Sequence, residues 1–139
     1  MIRIFLDASV LISVLNKEYP LFTYSSRILS LANHIKFEVY TSPLCLAIAF
    51  YFAQKKNKAN AKQKIDILCR HIKITNHNSD DVFSTLNNKK INDFEDGLEY
   101  YAALSVNCNY IITEDIDDFY FSEITVLSCK DFFDRCLIS

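Results

Sequence analysis

Asn92-Asp93-Phe94-Glu95-Asp96-Gly97-Leu98-Glu99-Tyr100 places four carboxylates within its first eight residues and leads straight into an apolar pattern. Phe94, Leu98, Tyr101, Ala102 and Leu104 recur at helical period and predict a buried stripe. Asp93 and Asp96, three residues apart, share one face of that helix, whereas Glu95 and Glu99, four apart, point to a different one. The helix therefore reads as having a core face, a solvent face and an acidic first turn. Acids in a first turn complement the partial positive charge of a helix N-terminus, so taken alone they define no site. The elements on either side give them further meaning.

Downstream, Tyr110-Ile111-Ile112-Thr113 is a short apolar strand, and Glu114-Asp115-Ile116-Asp117-Asp118-Phe119 follows at its C-terminal end. At the start of the chain, Ile2-Arg3-Ile4-Phe5-Leu6 reads as a buried strand that ends on Asp7, with Asp7 or Ser9 capping a helix over Val10 to Leu15. Between them lie further elements: a helix over Tyr24 to Ala32, a strand at 38–41, and a helix opened by Ser42-Pro43. A basic helix carrying Ile65, Leu68 and Ile72, a strand at 72–75 and a helix over Asp80 to Leu86 complete that stretch. A strand at 125–127 and a helix over Lys130 to Leu137 close the chain. Strands alternate with helices throughout, which predicts one α/β domain over residues 1–139: a mostly parallel five-stranded sheet with helices on both faces.

A chain of 139 residues, half of them hydrophobic and rich in Phe and Tyr, can bury a real core. The formal charge of −2 conceals an asymmetry. Residues 1–79 carry eleven Lys/Arg against four Asp/Glu, and residues 80–139 carry four against thirteen. Such a division suggests a charged partner, or an acidic site beside a basic surface; it is equally compatible with ordinary solvated helices. Seven of the basic residues fall between Lys55 and Lys73, and Lys55, Lys56, Lys58 and Lys62 are the candidates for contact with a phosphate backbone. No aromatic residue interleaves with that run, so base stacking is not indicated.

Several chemistries are excluded. Gly97 is the sole glycine, so no glycine-rich phosphate loop exists. His34, His71 and His77 lack metal-ligand spacing, and the five cysteines form no C-x-x-C pair, which argues against zinc and against a disulfide framework. Cys45 lies in an apolar run and reads as a small core residue. No signal peptide and no membrane-length apolar span is visible, and a reducing cytoplasm is expected.

In parallel sheets, ligands bind beyond the C-terminal ends of the strands. Asp7 and Asp115 fall there, and Asp93 and Asp96 open the helix that feeds the fourth strand. If the first and fourth strands are neighbours, these acids converge. Converging carboxylates repel one another unless a cation is present, and oxygen-only donors suit a hard ion such as Mg²⁺ or Mn²⁺.

Three segments together resemble the PIN domain family: Asp7-Ala8-Ser9-Val10-Leu11-Ile12; Asp93-Phe94-Glu95-Asp96 with Ala102-Ala103; and Ile111-Ile112-Thr113-Glu114-Asp115 with Asp118-Phe119. Their order and spacing cover essentially the whole chain. The resemblance implies an α/β/α sandwich, metal-dependent endoribonuclease activity on RNA and, as in VapC-like toxins, an antitoxin protein as partner and a homodimer. It assigns Asp7, Asp96 and Asp115 as metal ligands and catalytic acids, Ser9 and Thr113 as polar supports, and Asp93 and Asp118 as second-line acids. The chain departs from the family pattern on the helix over Pro43 to Gln54, which has no acid; the expected place is close to Ile48 or Ala49, and Ser13 stands where some relatives carry another. That departure keeps a second reading open, a PIN fold that binds RNA or protein without cutting. The run Leu44 to Ala53 is apolar on every side, which predicts that part of it is buried by a second copy of the chain.

Overall fold

The computed structural model describes residues 1–137. Its elements, in order, are β1 (Ile2–Leu6), α1 (Ala8–Leu15), α2 (Phe22–Ser30), β2 (Phe37–Thr41), α3 (Pro43–Lys56), α4 (Ala61–His71), β3 (Lys73–Ile74), α5 (Ser79–Asn87), α6 (Phe94–Ser105), β4 (Tyr110–Ile112), β5 (Thr125–Leu127) and α7 (Cys129–Phe132). Short 3-10 turns follow α2 at Leu31–Asn33 and β4 at Ile116–Phe119. The strands form one sheet in the order β3-β2-β1-β4-β5, and every neighbouring pair is parallel. Parallel neighbours need crossover connections, which the helices supply. The α/β class and the parallel sheet read from the sequence are both present. Among the described residues, no helix is long and apolar enough to cross a membrane.

β1 is central, with Ile4 facing Tyr110 and Leu6 facing Ile112 in β4, and Ile4 facing Val39 in β2. Ile4, Phe5 and Leu6 are fully buried, as are Ile111 and Ile112, because a central parallel strand is covered on both faces. Phe132 of α7 is also fully buried and meets Tyr110 and Phe37 edge-on, at ring-centroid separations of 5.4 and 6.5 Å. Truncating a Phe so enclosed costs about 3–5 kcal/mol. α1 packs on α2 and α3, α3 on α4, α5 on α6, and α7 on α2.

Local sequence accounts for most helix starts. Ser42 accepts from the Cys45 N–H at 3.2 Å, with Pro43 at the first helical position. Asn78 and Ser128 do the same for α5 and α7, at 3.0 and 3.1 Å.

Several features differ from expectation. β3 spans two residues rather than 72–75, because the Ile72 N–H closes α4 on the Leu68 carbonyl, while Thr75 bonds to the Thr41 carbonyl beyond the strand. The last helix begins at Cys129 and widens into a π-helical turn over Phe133–Leu137. The buried stripe of α6 is also displaced: Phe94 and Leu104 are exposed, and Gly97, Glu99, Tyr100, Ala102 and Ala103 are buried. The cause lies partly in Gly97, which faces α5. A Cβ at that position would stand 2.4 Å from Thr85 Cγ2 and 2.9 Å from Ile91 Cγ2, so only glycine permits this approach. α6 is thereby enclosed from two sides.

Candidate functional site

The strand order reverses direction between β1 and β4, and parallel sheets bind ligands at such a point, outside the C-terminal strand ends. Asp7 follows β1, with its N–H bonded to the Ile112 carbonyl at 3.0 Å. It caps α1, and its Oδ2 accepts from Ser9 Oγ at 2.7 Å, from Thr113 Oγ1 at 2.7 Å and from the Ser9 N–H at 3.4 Å. Ser9 Oγ in turn accepts from the Glu114 N–H at 3.1 Å, and Thr113 Oγ1 accepts from the Asp115 N–H at 3.0 Å. Two hydroxyls thus lock the Asp7 carboxylate to the turn that carries Asp115. On the other side, Asp93 caps α6 by accepting from the Asp96 N–H at 3.2 Å.

These acids open on one cavity of about 330 Å³. Asp7, Asp93, Glu95, Asp96, Glu99, Asp115 and Asp118 line it, with Ser9; Ala8, Ile12, Ile48 and Phe52 supply its apolar lining. A more open depression of about 730 Å³ lies along residues 116–126, but its only acids are Asp117 and Glu123.

Burial and mutual repulsion act on the cavity's carboxyls. Burial, then the neighbouring Asp93, Asp118 and Asp7, push the Asp96 carboxyl up to about 7. Asp115 is raised by burial and by Asp7 and Asp118. Glu99 is raised well above the usual carboxylate range by burial, then by Cys45 and Asp7. Burial and the adjacent Asp7 lift the Cys45 thiol to about 11, which favours the neutral thiol over the thiolate. Among the described residues, no Lys, Arg or His forms an ion pair with any acid of this cavity.

The structure brings Asp7, Asp96 and Asp115 to one cavity, together with Ser9, Asp93 and Asp118, and sets Thr113 directly behind Asp7. The tightest cluster of ligand-type atoms among the described residues is a different trio, Asp7, Cys45 and Glu99, all within 4.8 Å of one another. Glu99 corrects the sequence reading: it shares the cavity side of α6 and is 2 % exposed. Its position was legible as the third member of an i, i+3 series with Asp93 and Asp96, a row that the i, i+4 pairing with Glu95 obscures. Ile48, near the expected place of the missing acid, lines the same cavity. Ser13 is buried and donates to the Val10 carbonyl at 2.6 Å.

The four candidate lysines are all exposed. Lys56 donates to the Asn16 carbonyl and Lys64 to the Leu15 carbonyl, so part of the basic run serves to cap the C-terminal end of α1. Lys55 lies over the rings of Tyr51 and Phe52, at 4.5 and 5.9 Å, so aromatic groups do stand beside the basic run, one turn back on α3.

An all-parallel sheet in this order, with unpaired acids at the ends of β1 and β4, is an arrangement suited to a hard cation. The chain belongs to the PIN domain family, whose pattern it matches over residues 3–117. Among characterised proteins, it is 24% identical over 137 residues to ribonuclease VapC1 of Aquifex aeolicus, covering 96% of this chain and 94% of that one. Its fold is similar to that of VapBC2 from Rickettsia felis, solved bound to a DNA fragment from its promoter (TM-score 0.67, 21% identity, 91% of this chain and 97% of the other). It also resembles PAE2754 from Pyrobaculum aerophilum (TM-score 0.70, 14% identity, 99% and 97% covered).

Proposed function

We propose that this chain is a divalent-metal-dependent endoribonuclease of the PIN type and the toxin of a toxin–antitoxin pair. One observation carries the reading: a cavity at the β1–β4 switch point lined by seven carboxylates, with no cationic side chain among the described residues paired to any of them. Such a cluster is costly to hold in the ionised form without a positive ion, and its donors fit one. They are oxygen donors, which favour Mg²⁺ or Mn²⁺. Asp7, Asp96 and Asp115 would hold the ion. When bound, such an ion acidifies a water and offsets the charge that develops on a phosphodiester.

The protein's own groups have separable tasks. Ser9 and Thr113 occupy Asp7 Oδ2 and fix the carboxylate's orientation. Asp93 holds the first turn of α6 and adds negative charge beside Asp96. Ile12, Ile48 and Phe52 add apolar groups to the lining, which lowers the local dielectric around the acids. Exposed Lys55, Lys58 and Lys62 would meet the RNA backbone. The ribonuclease named among the relatives supports RNA as substrate, and the VapBC2 neighbour supports an antitoxin partner. Tyr51 and Phe52, 53% and 42% exposed on α3, support a homodimer through that helix. Five free cysteines suit a reducing cytoplasm.

The competing reading is an RNA- or protein-binding PIN fold without cleavage, favoured by the apolar Ile48 in the acid cavity. RNA cleavage assayed with Mn²⁺, with Mg²⁺ and after chelation decides between them. Metal-dependent cutting that disappears in Asp96→Asn supports the enzyme. Absence of both metal binding and cutting in the wild type, across structured and unstructured RNAs, leaves the binding module.

A further inference from the structure

The cavity lacks a carboxylate on α3, yet it holds one that the family resemblance does not assign. Glu99 enters from α6, one turn beyond Asp96 and on the same face. It is 2 % exposed, and its ligand-type oxygen stands within 4.8 Å of a carboxylate oxygen of Asp7 and of the Cys45 Sγ. Among the described residues, the one side-chain donor that reaches it is the Cys45 thiol, 3.1 Å from Oε1. A thiol is a weak donor, and no Lys, Arg or His among the described residues pairs with Glu99. A carboxylate this enclosed, facing a second buried carboxylate, has no compensating charge in the protein itself.

Ile48 borders the same cavity, and Cys45, three residues before it on α3, touches Glu99. The side of the cavity emptied of an acid is therefore the side that Glu99 approaches. We propose that Glu99 is a fourth metal-facing carboxylate, supplied by α6 in place of the acid absent from α3. This inference rests on the metal-centre reading above. Its chemistry is specific: all four acids are oxygen donors, two of them from a single helix face, and Cys45 serves as a neutral hydrogen-bond donor that holds Glu99 in place.

The test is Mn²⁺ binding to the metal-free protein, read by calorimetry and by the Mn²⁺-induced rise in thermal midpoint, for wild type, Asp96→Asn, Glu99→Gln and the double variant Glu99→Gln/Ile48→Glu. Glutamine keeps the shape of Glu99 and still accepts from Cys45. Glu99→Gln should weaken Mn²⁺ binding by at least about tenfold, and Ile48→Glu in that background should recover part of the loss. Wild-type-like Mn²⁺ binding in Glu99→Gln, with binding lost in Asp96→Asn, overturns the role of Glu99 and leaves the metal centre standing. No Mn²⁺ binding by the wild type overturns both. Should Glu99→Gln fail to fold, Glu99→Asp carries the same decision: retracting the carboxylate should weaken Mn²⁺ binding, and unchanged affinity rejects the role.

Discussion

Acidic groups stand at both ends of the sheet, and they fare in opposite ways. At the N-terminal edge, Glu38 on β2 meets Arg3 at 3.0 Å and also Lys73 on β3. Hydrogen bonds from Lys73 and Arg3 hold its carboxyl down at about 2. At the C-terminal edge, Asp96 has carboxylates for neighbours and is pushed up to about 7. Three of the sheet's strands join the first cluster, and its charges are matched within the chain. The second is matched by no cationic side chain among the described residues. A paired acid at a sheet edge is architecture, whereas a group of mutually repelling acids, with Asp7 and Glu99 buried among them, is a demand for something from outside.

The comparison breaks most decisively at Asp96. Asp96→Asn should reduce metal-dependent RNA cleavage by more than about 100-fold while circular dichroism shows an intact fold. A variant that cuts RNA normally would mean that the acidic end is as inert as the Glu38 end.

The two ends should next be separable by pH. For Asp96 the folded carboxyl, at about 7, lies above its ordinary value of 3.8, so the folded state binds the extra proton between those limits. The thermal midpoint of the metal-free protein should therefore fall as pH rises from about 4 to 7. Glu38 has the opposite sign: its contribution is present above its ordinary 4.5 and is lost as pH falls toward about 2. Saturating Mn²⁺ should abolish the loss on the neutral side, because protons and metal compete for the same oxygens, and should leave the acid-side loss alone. A neutral-side slope unchanged by Mn²⁺ would contradict the metal centre.

Thr113→Val tests a smaller effect, the fixing of Asp7. Thr113 is fully buried and donates to Asp7 at 2.7 Å. Its loss should weaken Mn²⁺ binding by about tenfold and lower stability by about 1–3 kcal/mol, read by calorimetry and by denaturant titration. Smallest of all should be Glu38→Gln, which removes a charge from solvent-exposed partners. RNA cleavage and Mn²⁺ affinity should match wild type, and the acid-side slope should diminish.

Much of this was legible in the residues. Ile2–Leu6 and Tyr110–Ile112 announced themselves as apolar strands, and Asp7 and Asp115 as acids just beyond their C-terminal ends. The linear order lacked adjacency: only the pairing of β1 with β4 places those acids side by side. The stripe on α6 was misread because burial there depends on α5, which reaches the helix through the missing side chain of Gly97. Glu99 falls on a different face from Asp96 in the sequence reading for a related reason, since a carboxylate at a buried position contradicts the usual reading of helix faces. Lys56 and Lys64 looked like a free basic surface, but their partners are carbonyls at the end of α1, about forty or more residues back in the chain.

Gly97 has a consequence of its own. It carries no chemistry, yet it sits between Asp96 and Glu99 on α6, and the spacing of α6 from α5 is fixed at its Cα. Any side chain there would act as a shim, lifting the helix off Thr85 and carrying both acids with it. Metal coordination tolerates misplacement of only about 0.5 Å. The chain's single glycine thus works as a calibration point, and the accuracy of the acidic cavity is set on the far side of the helix that furnishes it.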